Sequence, residues 1–225
     1  MEIVVDNKHI FYDQLGLGSK DIVMLHGWGQ NMEMMRPLAI KLLNDKNIKN
    51  NYRITILDLP GFGSSSEPDM DTDVFSYTKL IENFLIALKI NKPIMLGHSF
   101  GGRLSIIYSS RNETEKVILF GAPCIREYNQ TFKEKVLKTL KKIPFTKDLV
   151  ELAKQYIGST DYKNATPVMR TVLVNTINQD LSECAKKITA PTLLIWGTLD
   201  TAAPIEQARK LEKLLKDGAL IEIPG

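Results

Sequence analysis

The segment Gly97-His98-Ser99-Phe100-Gly101 constrains this chain more than any other. A serine stands between two glycines, each two positions away. The apolar stretch Pro93-Ile94-Met95-Leu96 leads in, and a helix-like stretch from Arg103 to Ser110 leads out. A G-x-S-x-G between strand and helix makes a turn so tight that flanking side chains would collide, and it holds the serine oxygen at the tip of the strand. A Gly-rich turn before a helix can instead cap the helix or cradle a phosphate. The phosphate loop needs a Gly-Lys-Ser/Thr ending, which is missing here.

The rest of the chain supplies the sheet that such a turn requires. Glu2 to Val5 and His9 to Leu15 read as a hairpin around Asp6-Asn7-Lys8. Asp21 to Leu25 reads as a buried strand breaking at His26-Gly27-Trp28-Gly29, and Arg53 to Leu57 as another stopped by Asp58-Leu59-Pro60-Gly61-Phe62-Gly63-Ser64. Lys116 to Phe120, Thr192 to Trp196 and Ala219 to Ile223 read as the later strands. Helices are predicted over Met35 to Leu43, from an N-cap at Ser76 to Leu88, and from Pro204 to Leu215. This alternation predicts an α/β architecture, a mostly parallel central sheet flanked by helices. It lapses between Phe120 and Thr192, where Tyr128 to Lys142, Thr146 to Tyr156 and Val168 to Asn178 look helical. Residues 1–121 and 191–225 are therefore expected to form the core. Residues 122–190 are expected to form a helical cap over the edge of the sheet where open α/β sheets bind ligands.

Four motifs in order, each ending a predicted strand, resemble the α/β-hydrolase superfamily across nearly the whole chain. They are His26-Gly27-Trp28-Gly29, the Asp58 to Ser64 loop, Gly97 to Gly102, and Trp196-Gly197-Thr198-Leu199-Asp200 with Pro204 beyond. The resemblance implies that Ser99 is the nucleophile and that Asp200 is the acid that orients a histidine. It implies an oxyanion hole made by the backbone N–H groups of Trp28 and Phe100. Trp28 could instead be a core aromatic, and Asp200 a turn residue capping the Pro204 helix. Asp58 precedes the serine and is expected to bond loop amides, and His26 to brace its own loop. A serine at position 99 disfavours the carboxylate chemistry of dehalogenases and epoxide hydrolases and the thiol chemistry of dienelactone hydrolases.

The triad histidine has no candidate among His9, His26 and His98. Similar enzymes carry it in the loop after the last strand, a few residues past a Pro-Gly pair, and here the sequence ends at Pro224-Gly225. The expectation is a truncated hydrolase of impaired activity, with the last helix missing and an apolar sheet face bared. The expected function is cleavage of carboxylic esters or related acyl bonds through an acyl-enzyme on Ser99. The alternative is a non-catalytic hydrolase-like fragment or ligand-binding protein.

Composition narrows the partners. A net charge of +3 is too small to imply nucleic acid. The surplus is concentrated between Ala122 and Ala190, with 12 Lys/Arg against 7 Asp/Glu. That fits a solvated helical face, or a surface favouring anionic substrates or a membrane. No apolar run approaches a membrane span, and the N-terminus has no signal-peptide pattern, so no stable membrane insertion and a cytoplasmic location are expected. Cys124 and Cys184 show no metal-ligand spacing and are expected as reduced thiols. No metal cluster, Walker loop or G-x-G-x-x-G is present, so no cofactor is expected, and the partner is a small-molecule acyl substrate. Val136, Leu137, Leu140 and Ile143 form one stripe of the expected cap. Met32, Met34 and Met35 lie near the oxyanion loop, where they fit either an ordinary core or an apolar ligand.

Overall fold

The computed structural model describes residues 1–125 and 163–224. Most of the expected cap, including its stripe at Val136 to Ile143, lies outside the described residues.

Among the described residues the strands are β1 (Glu2–Val5), β2 (Lys8–Leu15), β3 (Lys20–Leu25), β4 (Tyr52–Leu57), β5 (Ile94–His98), β6 (Lys116–Phe120), β7 (Thr192–Gly197) and β8 (Gly218–Ile223). They form one sheet in the order β1-β2-β4-β3-β5-β6-β7-β8. The β1–β2 and β2–β4 pairs are antiparallel and every later pair is parallel. The helices are α1 (Arg36–Leu43), α2 (Lys46–Asn51), α3 (Val74–Ala87), α4 (Phe100–Arg111), α5 (Pro167–Asn178), α6 (Ser182–Lys187) and α7 (Ile205–Leu214). The mostly parallel α/β architecture read from the sequence is the one observed.

Burial explains the layers. Val23, Leu25, Met95, Val117, Leu119 and Leu194 point to a core shared with α3, α4, α6 and α7. Their neighbours Ile22, Met24, Ile54, Ile56 and Leu96 point to a second core beneath α1, with Ile48 of α2 packed against it. The alternation follows from the two-residue repeat of a strand. A parallel strand buried on both faces reads as the continuous apolar run seen in β3 from Ile22 to Leu25. The second face is covered less completely toward its far edge, where Ile221 and Ile223 of β8 are 49% and 48% exposed. On the other face α7 holds β8 through Arg209, whose Nε and Nη2 donate to the Glu222 carboxylate at 2.7 and 2.8 Å.

Three local readings change. The N-cap of α3 is Asp73, not Ser76. The Asp73 carboxylate accepts from the Ser76 N–H at 2.7 Å, so Ser76 is the third helical residue and the helix starts three positions early. Helix α2 was not expected, because Lys46–Asn51 has no apolar stripe; Asp45 caps it by accepting from the Asn47 and Ile48 N–H groups. Helix α6 was not expected either, and its Ala185 is buried in the main core.

The order of strands fixes where a site can form. From β3 the chain crosses to β4 on one side, and from β5 it crosses to β6 on the other. The crevice between the C-terminal ends of β3 and β5 is therefore a topological switch point, where open α/β sheets bind ligands. Close packing shuts its floor. A Cβ on Gly97 would lie 2.5 Å from the Gly101 carbonyl oxygen, and one on Gly101 would overlap the Leu25 carbonyl. Backbone atoms block both positions and cannot swing aside. Gly101→Ala is expected to lower the unfolding free energy by about 3 kcal/mol, the upper end of overpacking costs. Urea unfolding followed by tryptophan fluorescence measures this.

Candidate active site

Ser99 sits at the turn between β5 and α4 with φ 49° and ψ −110°. Positive φ is strained for a residue with a Cβ and persists only where the surroundings enforce it. They do so here: the Ser99 N–H donates to Phe120 O at 2.9 Å, the Gly101 N–H to His26 O at 3.1 Å, and the Gly102 N–H to Ser99 O at 3.0 Å. Phe100, the first residue of α4, has no acceptor for its N–H among the described residues, and neither has Trp28 in the loop after β3. The side chains of these two residues meet, with ring centroids 5.2 Å apart. Phe62 from the loop after β4 completes the aromatic group, 5.0 Å from Trp28 and 6.2 Å from Phe100. Tyr77 of α3 packs on Phe100 from beneath and donates its hydroxyl proton to Pro60 O.

Two side chains brace these loops. Asp58 is buried, and its carboxylate accepts from the Met32 N–H and the Ser64 N–H, both at 2.8 Å. One carboxylate thereby joins the loop after β3 to the loop after β4. His26 is fully buried; its Nε2 accepts from the Leu59 N–H at 3.0 Å, and its Nδ1 lies 2.7 Å from Gly27 O. The accepting Nε2 must be unprotonated, so the proton is on Nδ1 and the ring is neutral. Burial pushes the His26 pKa below its ordinary value, partly offset by the Gly27 carbonyl and the Asp58 charge.

Asp200 lies in the loop after β7. Its Oδ1 accepts from the Ala202 and Ala203 N–H groups at 2.9 and 2.8 Å, an Asx turn that shapes this loop. The N-cap position of α7 belongs to Pro204. The other carboxylate oxygen faces Gly121 at the end of β6, 3.1 Å from where a Cβ there would lie. In the order β5-β6-β7, the strands that lead to Ser99 and to Asp200 are two spacings apart, about 9–10 Å along the sheet. His98 packs its Nδ1 toward Gly27, on the β3 side of the turn, and that nitrogen is buried without a partner among the described residues. Burial lowers the His98 pKa too, with the Asp200 charge opposing.

Beside the aromatic group lies a cavity of about 290 Å³, lined by Trp28, Gly29, Gly61, Phe62, Ala165 and Met169 among others. Its far wall comes from the start of α5, where Met169 packs on Gly61 and the Thr166 hydroxyl donates to Glu67 at 2.7 Å. The wall falls within the expected cap span 122–190, but nothing local in residues 164–169 marks them as the neighbours of residues 28 and 61. The methionines near position 32 go elsewhere: Met35 is buried in the second core and Met32 packs against it. Among the described residues no group of three or more His, Cys, Asp or Glu could hold a metal ion, and no helix is long and apolar enough to cross a membrane. Cys124 and Cys184 are free thiols.

The sheet, the strained serine at its switch point and the braced loops define an architecture of the α/β-hydrolase type. The chain belongs to the alpha/beta hydrolase fold family, whose model matches residues 21–144. It is similar to the AB hydrolase superfamily protein YisY of Bacillus subtilis, 26% identical over 94% of this chain and 85% of that protein. It is also similar to the pimeloyl-[acyl-carrier protein] methyl ester esterase of Wigglesworthia glossinidia brevipalpis, 26% identical over 92% of this chain and 85% of the other. Among solved structures, the esterase EaEST from Exiguobacterium antarcticum aligns with a TM-score of 0.74 at 22% identity, over 99% of this chain and 90% of that one. The enol-lactonase from Burkholderia xenovorans aligns with a TM-score of 0.75 at 19% identity, over 99% of this chain and 91% of that one. At these identities the two structures speak to the fold.

The buried His26 and half-buried His98 make stability depend on pH. Both folded pKa values lie below the unfolded value near 6.5, so below that pH the unfolded chain takes up protons that the folded chain refuses. Stability is thus expected to be level above about pH 7.5 and to fall as the pH drops through 6.5 toward the folded values. Urea midpoints between pH 8 and 5.5 measure the fall. His26→Gln, which keeps an acceptor for the Leu59 N–H, should make the slope shallower.

Proposed function

We propose that the protein is a serine hydrolase of carboxylic esters or related acyl bonds, with Ser99 as nucleophile and Asp200 as the acid of its triad. The observation that carries this reading is the pairing of the strained Ser99 turn with two N–H groups, of Trp28 and Phe100, that lack acceptors among the described residues. In this reading the Ser99 Oγ attacks the acyl carbon as a base takes its proton. The carbonyl oxygen becomes an oxyanion held by the two N–H groups, each stabilising it by roughly 2.7–4 kcal/mol. Collapse breaks the bond to the alkoxy oxygen, which leaves as the alcohol with the proton returned by the base. Water then attacks the acyl-Ser99 ester, releasing the carboxylic acid and restoring the serine. The cavity beside Trp28 takes the acyl chain. The relatives named as methyl ester esterases favour a carboxylic ester within this class.

In this reading one imidazole bridges the Ser99 hydroxyl and the Asp200 carboxylate, which follow strands two places apart in the sheet. His9, in β2, contacts Glu2; His26 is committed to Leu59; His98 faces Gly27. None of the three takes the bridging place in this reading. A hydrolase lacking one triad member keeps a residual acceleration of about 10³–10⁴ over water from its oxyanion hole and binding. Residues 1–225 are therefore expected to turn over p-nitrophenyl acetate at no more than about this residual acceleration. Added imidazole should raise that rate in the wild type beyond its effect on Ser99→Ala. Equal rates for the two proteins across the imidazole series would sink the assignment of Ser99. Rapid labelling of Ser99 by a fluorophosphonate without imidazole would show that a base is already in place.

A further inference from the structure

Arg103 lies in α4, four residues beyond Ser99, and only 8% of it is exposed. Its guanidinium has no carboxylate partner among its described hydrogen bonds. It binds three main-chain carbonyls instead. One terminal nitrogen donates to Pro123 O, just after β6; the other donates to Thr176 O at 2.6 Å and to Gln179 O. The last two carbonyls belong to the C-terminal end of α5, where four carbonyls lack helical partners and a partial negative charge gathers. A buried cation there is compensated by the helix dipole and by the nearby Asp180 charge as well as by the bonds. Nearby Cys124 does not supply a counter-charge, because burial raises its thiol pKa to about 12 and keeps it neutral.

The other end of α5 forms the wall of the cavity. Met169 sits two residues after the helix start and Thr176 two before its end, so about 10 Å of helix axis separates the wall from the clamp. Met169 and Val172 are buried in the core that also holds Phe100 and Leu104 of α4. Helix α5 is therefore held at its cavity end by Met169 on Gly61 and Thr166 on Glu67, and at its far end by Arg103. The helix that carries the Ser99 turn at its start thus also holds the element that shapes the cavity.

We propose that Arg103 is a positioning residue: by binding the C-terminal carbonyls of α5 and Pro123 O, it sets the distance between the Met169 wall and Trp28, and so the length of acyl chain the cavity accepts. The acyl-chain part rests on the reading of the cavity given under Proposed function; the clamping of α5 does not. A wall shifted by 1 Å can change turnover by two orders of magnitude without any catalytic group being altered. A clamp of this kind therefore affects selectivity before it affects chemistry.

The test uses residues 1–225 with Arg103→Met, which keeps the stem and removes every donor, and Arg103→Lys, which keeps the charge but cannot span the three carbonyls. Hydrogen exchange is read by peptide, with binding of hexanoate and decanoate followed by tryptophan fluorescence and Trp28→Phe as the signal control. In Arg103→Met, exchange of amides in 167–180 is expected to rise at least tenfold while β3, β4 and β5 keep wild-type protection. The hexanoate-to-decanoate affinity ratio is expected to change by at least threefold. Arg103→Lys should fall between wild type and Arg103→Met on both measures, and it carries the test alone if Arg103→Met does not fold. A uniform rise in exchange over the whole sheet, or no change in 167–180, would overturn the clamp. A local rise in exchange with an unchanged affinity ratio would overturn the link from clamp to cavity. If the wild type binds neither carboxylate, the acyl reading of the cavity fails, while the exchange result still decides the clamp.

Discussion

The 3.1 Å hydrogen bond from the Gly101 N–H to His26 O joins the first turn of α4 to the loop after β3. It uses an N–H that a helix start cannot satisfy internally, and a carbonyl at the very point where β3 stops pairing. The bond forms only if the two backbones come together without side chains between them, and Gly97 and Gly101 provide that approach. Once it is made, the Ser99 turn and the Trp28 loop cannot move independently. Their free N–H groups then stand at the same end of the sheet as parts of one rigid body. The strain at Ser99 is held by these main-chain bonds, so its cost falls on the fold and not on any later chemical step.

The bracing side chains extend this rigidity outward at different electrostatic cost. Asp58 spreads one buried negative charge over two amides. His26 braces the same loops as a neutral ring, because a protonated ring would have to give up the Leu59 N–H. The pair therefore holds two loops while adding only one charge beneath the site. Arg103 does the converse on α4, placing a buried cation whose hydrogen bonds all go to main-chain carbonyls, with the Asp180 charge nearby. Such an arrangement is weaker evidence for stability than for specificity of geometry, because burying a charge is costly even where it is compensated.

How far the sequence could be read follows from the range of the interactions. The strands and the Ser99 turn were legible because their signals are local: an apolar run, then a glycine within two or three residues. The same locality put Trp28, Phe100 and Asp200 at strand ends before any tertiary information. Asp73 and Ser76 are both good capping residues, and only the backbone decides which one caps; hence the misplaced start of α3. Helix α2 has no apolar stripe to announce it and rests on Asp45 and its packing against the sheet. The partners of Arg103 lie 20 to 76 residues away, and the cavity wall at 164–169 faces residues 28 and 61. Contacts at such separation leave no periodicity or spacing in one sequence.

The division between local and distant signals is also a division of labour. Every group proposed for the chemistry lies within three residues of the end of a strand, so its position follows from parallel pairing at about 4.8 Å per strand. The groups that would sort substrates, Met169 and its neighbours, come from a helix that packs through side chains such as Met169 and Val172 and is bonded by the Arg103 guanidinium. Side-chain packing tolerates volume-conserving exchange far better than a shared backbone contact tolerates an added carbon. Substitution in α5 can therefore reshape the cavity while the Ser99 turn stays in place. Substitution at Gly97 or Gly101 would disturb both together.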